Sequence, residues 1–175
     1  MKKIILLLIL TAIFAANPAF VNAATTTATS TNVMAIQSRD MRVIALQNIL
    51  EKYGSPLAPY AAFYVETADK NDMDWRLLPA IAGLESSFGL HQMPGSHNSY
   101  GWGGGHIYFD SVEDGITTVL GALKTKYASR GATTVETIAP IYSESPTWAP
   151  RIRSFMDKFE AEYARLGMHS LELTI

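Results

Sequence analysis

From residue 34 onward, apolar positions recur mainly at three- and four-residue intervals, the period of a helix with one buried face. Met41, Ile44 (or Ala45), Ile49 and Tyr53 share a stripe. They predict a helix over Met34 to Tyr53, with Gly54 as its stop. Ser55-Pro56-Leu57 is a turn. Pro59 then suits the start of a second helix reaching about Lys70, with Ala62 and Phe63 facing in. Asp74 reads as the cap of a third helix. Its body runs from about Leu77 to Phe88, with Pro79 near the first turn and Gly89 as the stop. Ser111 to Asp114 reads as a capping box, with Asp in the usual Glu place. It opens a helix to about Ala128 that carries Ile116, Val119, Leu120, Leu123 and Tyr127 on one face. Thr133 or Thr134 caps a short helix that Pro140 ends. The last helix spans about Thr147 to Leu166, with Ile152, Phe155, Met156, Phe159, Tyr163 and Leu166 on one face and Gly167 as its stop.

One stretch breaks the period. Gly89 to Tyr108 holds Pro94 and a run of glycines from Gly95 to Gly105, with aromatics between them. It cannot be a regular helix, and structureless loops of this length are uncommon unless functional. No strand longer than a few residues is convincing, and there is no internal repeat. The expected fold is all-α, with a glycine-rich loop or small β excursion.

The two ends differ from the rest. Met1 to Ala23 reads as a secretory signal peptide: Lys2 and Lys3, an apolar run from Ile4 to Ala16, then small residues at Val21-Asn22-Ala23. The apolar run is shorter than the roughly 20 residues a spanning helix needs, so an uncleaved anchor is the lesser alternative. Residues 24–33 are a flexible Thr-rich lead-in, 34–167 the folded domain and 168–175 a loose tail. The expected location is secreted or periplasmic, in the cell envelope, without stable membrane insertion after cleavage.

Composition narrows the class. A chain of 175 residues supports one domain with a real core. The net charge of −2, with no basic stripe, argues against a nucleic-acid partner. Without cysteine there can be no disulfide scaffold and no lipid anchor through an N-terminal Cys. The expected chain is a monomer.

Glu85 stands out among the carboxylates. At about 100° per residue, Leu78 lies within about 20° of it, Ile81 within about 40°, and Ala82 and Phe88 within about 60°. A carboxylate on an apolar sector is desolvated, which favours its protonated form, as a general acid near neutral pH requires. The competing reading is a buried Glu satisfied by a helix end or by an arginine such as Arg76. The polar and aromatic loop after it favours chemistry, because aromatic faces stack on sugars while Asn and Ser bond hydroxyls.

Four segments then carry a family resemblance. Ala82-Gly83-Leu84-Glu85-Ser86-Ser87-Phe88-Gly89 resembles the catalytic-glutamate helix of the lysozyme-like superfamily, which includes lytic transglycosylases, goose-type lysozymes and bacterial cell-wall glucosaminidases. Asn98-Ser99-Tyr100-Gly101-Trp102-Gly103, Tyr108 to Ile116, and Tyr142 to Ile152 resemble successive stretches of the glucosaminidase branch. The resemblance covers about Tyr60 to Phe159. The Gly-Leu-Met-Gln signature of transglycosylases is absent, and Pro150 stands where the glucosaminidases tend to have a polar residue.

The resemblance implies a lysozyme-like domain acting on peptidoglycan glycan strands. It would cleave the β-1,4 bond between N-acetylglucosamine and N-acetylmuramic acid, with no cofactor. Glu85 would be the proton donor and Tyr142 would line the site opposite it. Ser86, Asn98, Tyr100, Trp102 and Trp148 would contact substrate, although Trp148 could equally be a packing anchor. Glucosaminidase-type hydrolysis is the favoured reaction, with muramidase or anhydro-forming transglycosylase as alternatives. A non-catalytic glycan-binding module is the rival from another class.

A second carboxylate would come from Asp110, Glu113, Asp114 or Glu144, of which Glu144 is the least implausible; a single essential acid is the expectation. His91, His97 and His106 crowd the loop, but their spacing matches no standard ligand set, so no metal is expected.

Overall fold

A computed structural model describes residues 40–172. The signal-peptide and lead-in assignments, and the first turns expected after Met34, lie outside these residues. The described chain is all-α: α1 (Met41–Lys52), α2 (Ala61–Lys70), α3 (Leu77–Ser86), α4 (Val112–Ala122), α5 (Val135–Tyr142) and α6 (Trp148–Glu172). Short 3-10 turns precede α2 and follow α4. No strand occurs among the described residues, so the Gly89–Tyr108 stretch is a loop and not a β excursion. No described helix is long and apolar enough to cross a membrane.

The caps follow from local chemistry. Asp40 accepts from the Arg42 N–H at the start of α1. Ser111 accepts from the Asp114 N–H at 3.1 Å, but the Asp114 carboxylate turns back to the Asp110 N–H and not to that of Ser111. The shorter Asp thus closes the box one residue further out. Thr134, with Thr137, forms a full capping box on α5.

Two expected stops do not stop their helices. Pro140 lies inside α5, which continues to Tyr142; a proline costs one backbone bond, and the capped start and buried Val135 and Ile138 offset it. Gly167 lies inside α6, which runs to Glu172, so residues 168–172 are helical and not tail. A glycine costs a helix only about 1 kcal/mol against alanine.

α3 is the central element. Leu77 to Gly83 and Ser86 are all buried, and α6 packs against both α3 and α1. α3 ends two residues earlier than its pattern predicts. Ser87 and Phe88 both take positive φ, 51° and 59°, and Gly89 follows at 84°. The Phe88 N–H returns to the Ala82 carbonyl at 2.9 Å. Its ring, 1% exposed, folds back among Tyr53, Phe155 and Phe159, with centroids at 4.8, 5.2 and 6.2 Å. Gly83 makes this possible: a Cβ there would stand 2.6 Å from the Phe88 ring. Left-handed conformation costs a non-glycine residue on the order of 1–2 kcal/mol. The buried Phe88 side chain offsets that on the order of 2–3 kcal/mol.

Candidate active site

The end of α3 delivers Glu85 to the surface. The expectation that its own helix would desolvate it is corrected: the residue is exposed, on the last turn, where the apolar neighbours of an idealised helix no longer cover it. Arg76 does not pair with it. That guanidinium is taken by Asp74 and Glu160 at 2.6 and 2.8 Å.

Glu85 is instead fixed by residues distant in sequence. The indole Nε1–H of Trp148 donates to Oε1 at 2.8 Å. Trp148 opens α6 and is 2% exposed. The other oxygen, Oε2, faces Gly101; a Cβ there would lie 3.3 Å from Oε2. Gly101 has φ 63° and is therefore doubly required to be glycine, by backbone conformation and by the space that the carboxyl needs. An indole N–H can only donate, so Oε1 serves as acceptor whether or not the acid is protonated. The proton of the acid form therefore belongs on Oε2.

Beside the carboxyl lies an open cleft of about 290 Å³, lined by Gly101, Trp102, Gly103, Gly104, Tyr127 and Tyr142. The three rings face one another with centroids 6.1–6.3 Å apart. Tyr142 also stacks on Trp148 at 5.0 Å and 27°, so the ring that lines the cleft and the ring that holds the acid form one unit. The Tyr142 hydroxyl donates to the Tyr100 carbonyl at 2.7 Å. Burial, then the charges of Glu85 and Tyr127, push its phenol well above the usual range. Tyr142 is thus a neutral phenol with its proton committed. Its oxygen can still accept from a hydroxyl or water, but it is not a base.

No family model matches this chain, and no curated protein matches its sequence.

The other expected substrate contacts divide. Trp102 lines the cleft, half-buried. Ser86, Asn98 and Tyr100 are buried, and the protein uses their polar groups itself, so their assignment as direct contacts is corrected. The Ser86 hydroxyl joins the Ser99 carbonyl at 2.7 Å and the Gly89 N–H at 2.8 Å, tying the loop to the end of α3. Asn98 donates to the Trp102 and Ile107 carbonyls and accepts from the Trp102 N–H, all within 3.0 Å. Its amide supplies the hydrogen bonds that a strand would otherwise give this loop. The Tyr100 hydroxyl shares a 2.7 Å hydrogen bond with that of Tyr64, and burial raises both phenols. Trp148, for which sugar contact and a packing role were equal expectations, is buried and holds Glu85, so its assignment as a substrate contact is corrected.

Tyr127 is the cleft residue that the sequence pattern misses: its spacing marks it only as a core-face residue, and it is half-buried against the core while also lining the cleft. α4 ends at Ala122 and widens into a π-helical turn over Leu123–Tyr127. Such turns shift the register of the residues beyond them and often occur at functional sites.

Of the other carboxylates, Asp110, Asp114 and Glu144 are exposed, Glu113 and Asp114 occupy the first turn of α4, and no hydrogen bond joins any of them to Glu85. His97 Nδ1 pairs with the Phe109 carbonyl at 3.0 Å, while His91 and His106 are exposed. Among the described residues no group of three potential ligands could hold a metal ion.

Proposed function

We propose that this protein is an exported glycosidase that cleaves the glycan strands of peptidoglycan, with Glu85 as its general acid. One observation carries the reading. A carboxyl group stands at the lip of an uncharged aromatic cleft, with one oxygen anchored by a buried indole and the other left toward the cleft-lining glycine. Sugars bind by stacking their apolar faces on such rings, and a glycosidic oxygen needs one proton from one fixed direction.

In the step proposed, the proton on Glu85 Oε2 passes to the glycosidic oxygen. The bond from that oxygen to the anomeric carbon breaks, its electron pair stays with the departing hydroxyl, and positive charge develops at the anomeric carbon. The proton released as the anomeric carbon is attacked returns to the Glu85 carboxylate: attack by water gives a reducing sugar, and attack by the substrate's own 6-hydroxyl gives an anhydro sugar. Trp102, Tyr127 and Tyr142 hold the ring, and the Tyr142 oxygen can accept from water or a hydroxyl. Glucosaminidase-type hydrolysis remains the favoured form. Mass spectrometry of purified glycan after incubation tests the reading. Wild type should release fragments whose masses report water addition or anhydro formation, and Glu85→Gln should release none. Glycan binding without turnover by wild type would instead support a wall-binding module.

A further inference from the structure

A second cavity lies on a different part of the molecule, between the C-terminal end of α1 and the middle of α6. Its volume is about 320 Å³, and it is lined by Ile49, Lys52, Tyr53, Lys158, Ala161, Glu162 and Arg165. It shares no residue with the Glu85 cleft. Its lining is charged, where that of the cleft is not. Three cations meet one carboxylate here, in a chain whose net charge is −2.

The carboxylate is already spent. Glu162 accepts from Arg165 at 2.6 and 2.8 Å and from the Asn48 amide at 2.8 Å. Arg165 and Asn48 are the first two causes holding its carboxyl down apart from burial, with Lys52 a weaker one. The guanidinium fork of Arg165 is thereby occupied. The two lysines are less committed, Lys52 adding only a weaker attraction to the Glu162 carboxylate. Lys52 makes no ion pair among the described residues, and Lys158 Nζ sits 4.6 Å over the Phe155 ring, a contact that leaves its three donors usable. The floor is apolar and aromatic: Ile49, Ala161 and the half-exposed Tyr53 ring.

We propose that this cavity binds a phosphodiester anion carrying a polyol body, the phosphate between Lys52 and Lys158 and the polyol on the Tyr53 ring. Two compact ammonium groups suit a tetrahedral, non-planar anion, whereas a planar carboxylate is best met by the guanidinium fork that Glu162 has taken. Glycerol phosphodiesters carry this chemistry both as soluble polymers and as lipid headgroups. The assignment does not depend on the glycan-cleavage reading.

The test uses the full chain without its first 23 residues and two probes: a short glycerol-phosphate oligomer and vesicles of phosphatidylglycerol. Binding is measured by calorimetry and co-sedimentation, beside a Lys52→Gln, Lys158→Gln double variant. The oligomer should bind, more weakly as salt rises, and the double variant should lose roughly tenfold or more of that affinity. Binding to vesicles alone, lost equally in the variant, would assign the same phosphodiester site to the headgroup. Failure of both probes to bind wild type, or equal binding by wild type and variant, overturns the proposal. Thermal unfolding confirms that the variant is folded. Its cleavage of purified glycan should match wild type, which separates this test from that of Glu85.

Discussion

Replacing Trp148 by Phe probes the anchor on which the proposed chemistry depends. Phe keeps an aromatic ring against Tyr142, now at 5.0 Å, but removes the N–H that reaches Glu85 Oε1 at 2.8 Å. Glu85 is exposed and makes no ion pair among the described residues, so little else restrains its carboxyl. Hydrogen bonds to charged groups contribute about 1.5–3 kcal/mol. At roughly 1.4 kcal/mol per decade, a loss of that size in the transition state lowers kcat by about 10- to 100-fold. KM should change little, because Trp148 is buried outside the cleft lining. The smaller ring also leaves a void, which costs stability by on the order of 1 kcal/mol. A double-mutant cycle separates the two effects. The stability cost of Trp148→Phe, read from denaturant unfolding, should be smaller in a Glu85→Ala background by about the strength of the lost bond. If Trp148→Phe keeps wild-type kcat and costs the same stability in both backgrounds, the anchoring argument fails.

Other expectations rest on the same geometry. Gly101→Ala places a methyl 3.3 Å from Glu85 Oε2 in a left-handed backbone; it should cost about 1–2 kcal/mol in unfolding free energy and lower glycan cleavage far more, and near-normal cleavage would mean that the proton leaves from the other oxygen. Gly83→Ala sets helix propensity, a gain of about 1 kcal/mol, against a 2.6 Å clash with a Phe88 ring that its neighbours hold in place; overpacking at about 1–3 kcal/mol wins, so the melting temperature should fall. Tyr127→Ala should raise KM for glycan with a smaller effect on kcat, since the ring lines the cleft without touching the acid in any hydrogen bond. Arg153 holds the Glu136 carboxyl down at about 2, and Arg165 does the same for Glu162. Depressed carboxylates contribute stability that is full above their ordinary value of 4.5 and is lost as pH falls toward 2, so thermal unfolding should weaken across that window, modestly because both pairs are solvent-screened.

The helices were legible because each buries one stripe, and a stripe leaves a period. The placement of Glu85 was legible only in part. Helical-wheel reasoning treats each turn as covered on all sides by its neighbours, and α3 ends immediately after Glu85, so the same angles that suggest burial lead here to the surface. Asn98 and Tyr100 illustrate a second limit. Polar and aromatic types in a glycine-rich loop serve equally to bind a ligand or to build the fold, and only the hydrogen-bond partners decide; here loop carbonyls claim Asn98 and Tyr64 of α2 claims Tyr100. Tyr127 illustrates a third. Its spacing assigns it to the core face and it does pack against the core, yet it also lines the cleft, and nothing in Leu-Lys-Thr-Lys-Tyr announces that second exposure or the π-helical turn that ends on it. Pro140 and Gly167 look like punctuation in the sequence, yet each lies inside its helix.

The acid and its anchor stand 63 residues apart in the chain. A polypeptide emerging N-terminus first presents Glu85 long before Trp148 exists to hold it, and the anchor arrives only with the start of α6. Every shorter intermediate therefore carries the carboxyl without the geometry that would give it use. Whatever Glu85 does, the chain acquires it in the last stage of assembly, as a property of the completed fold and not of any fragment.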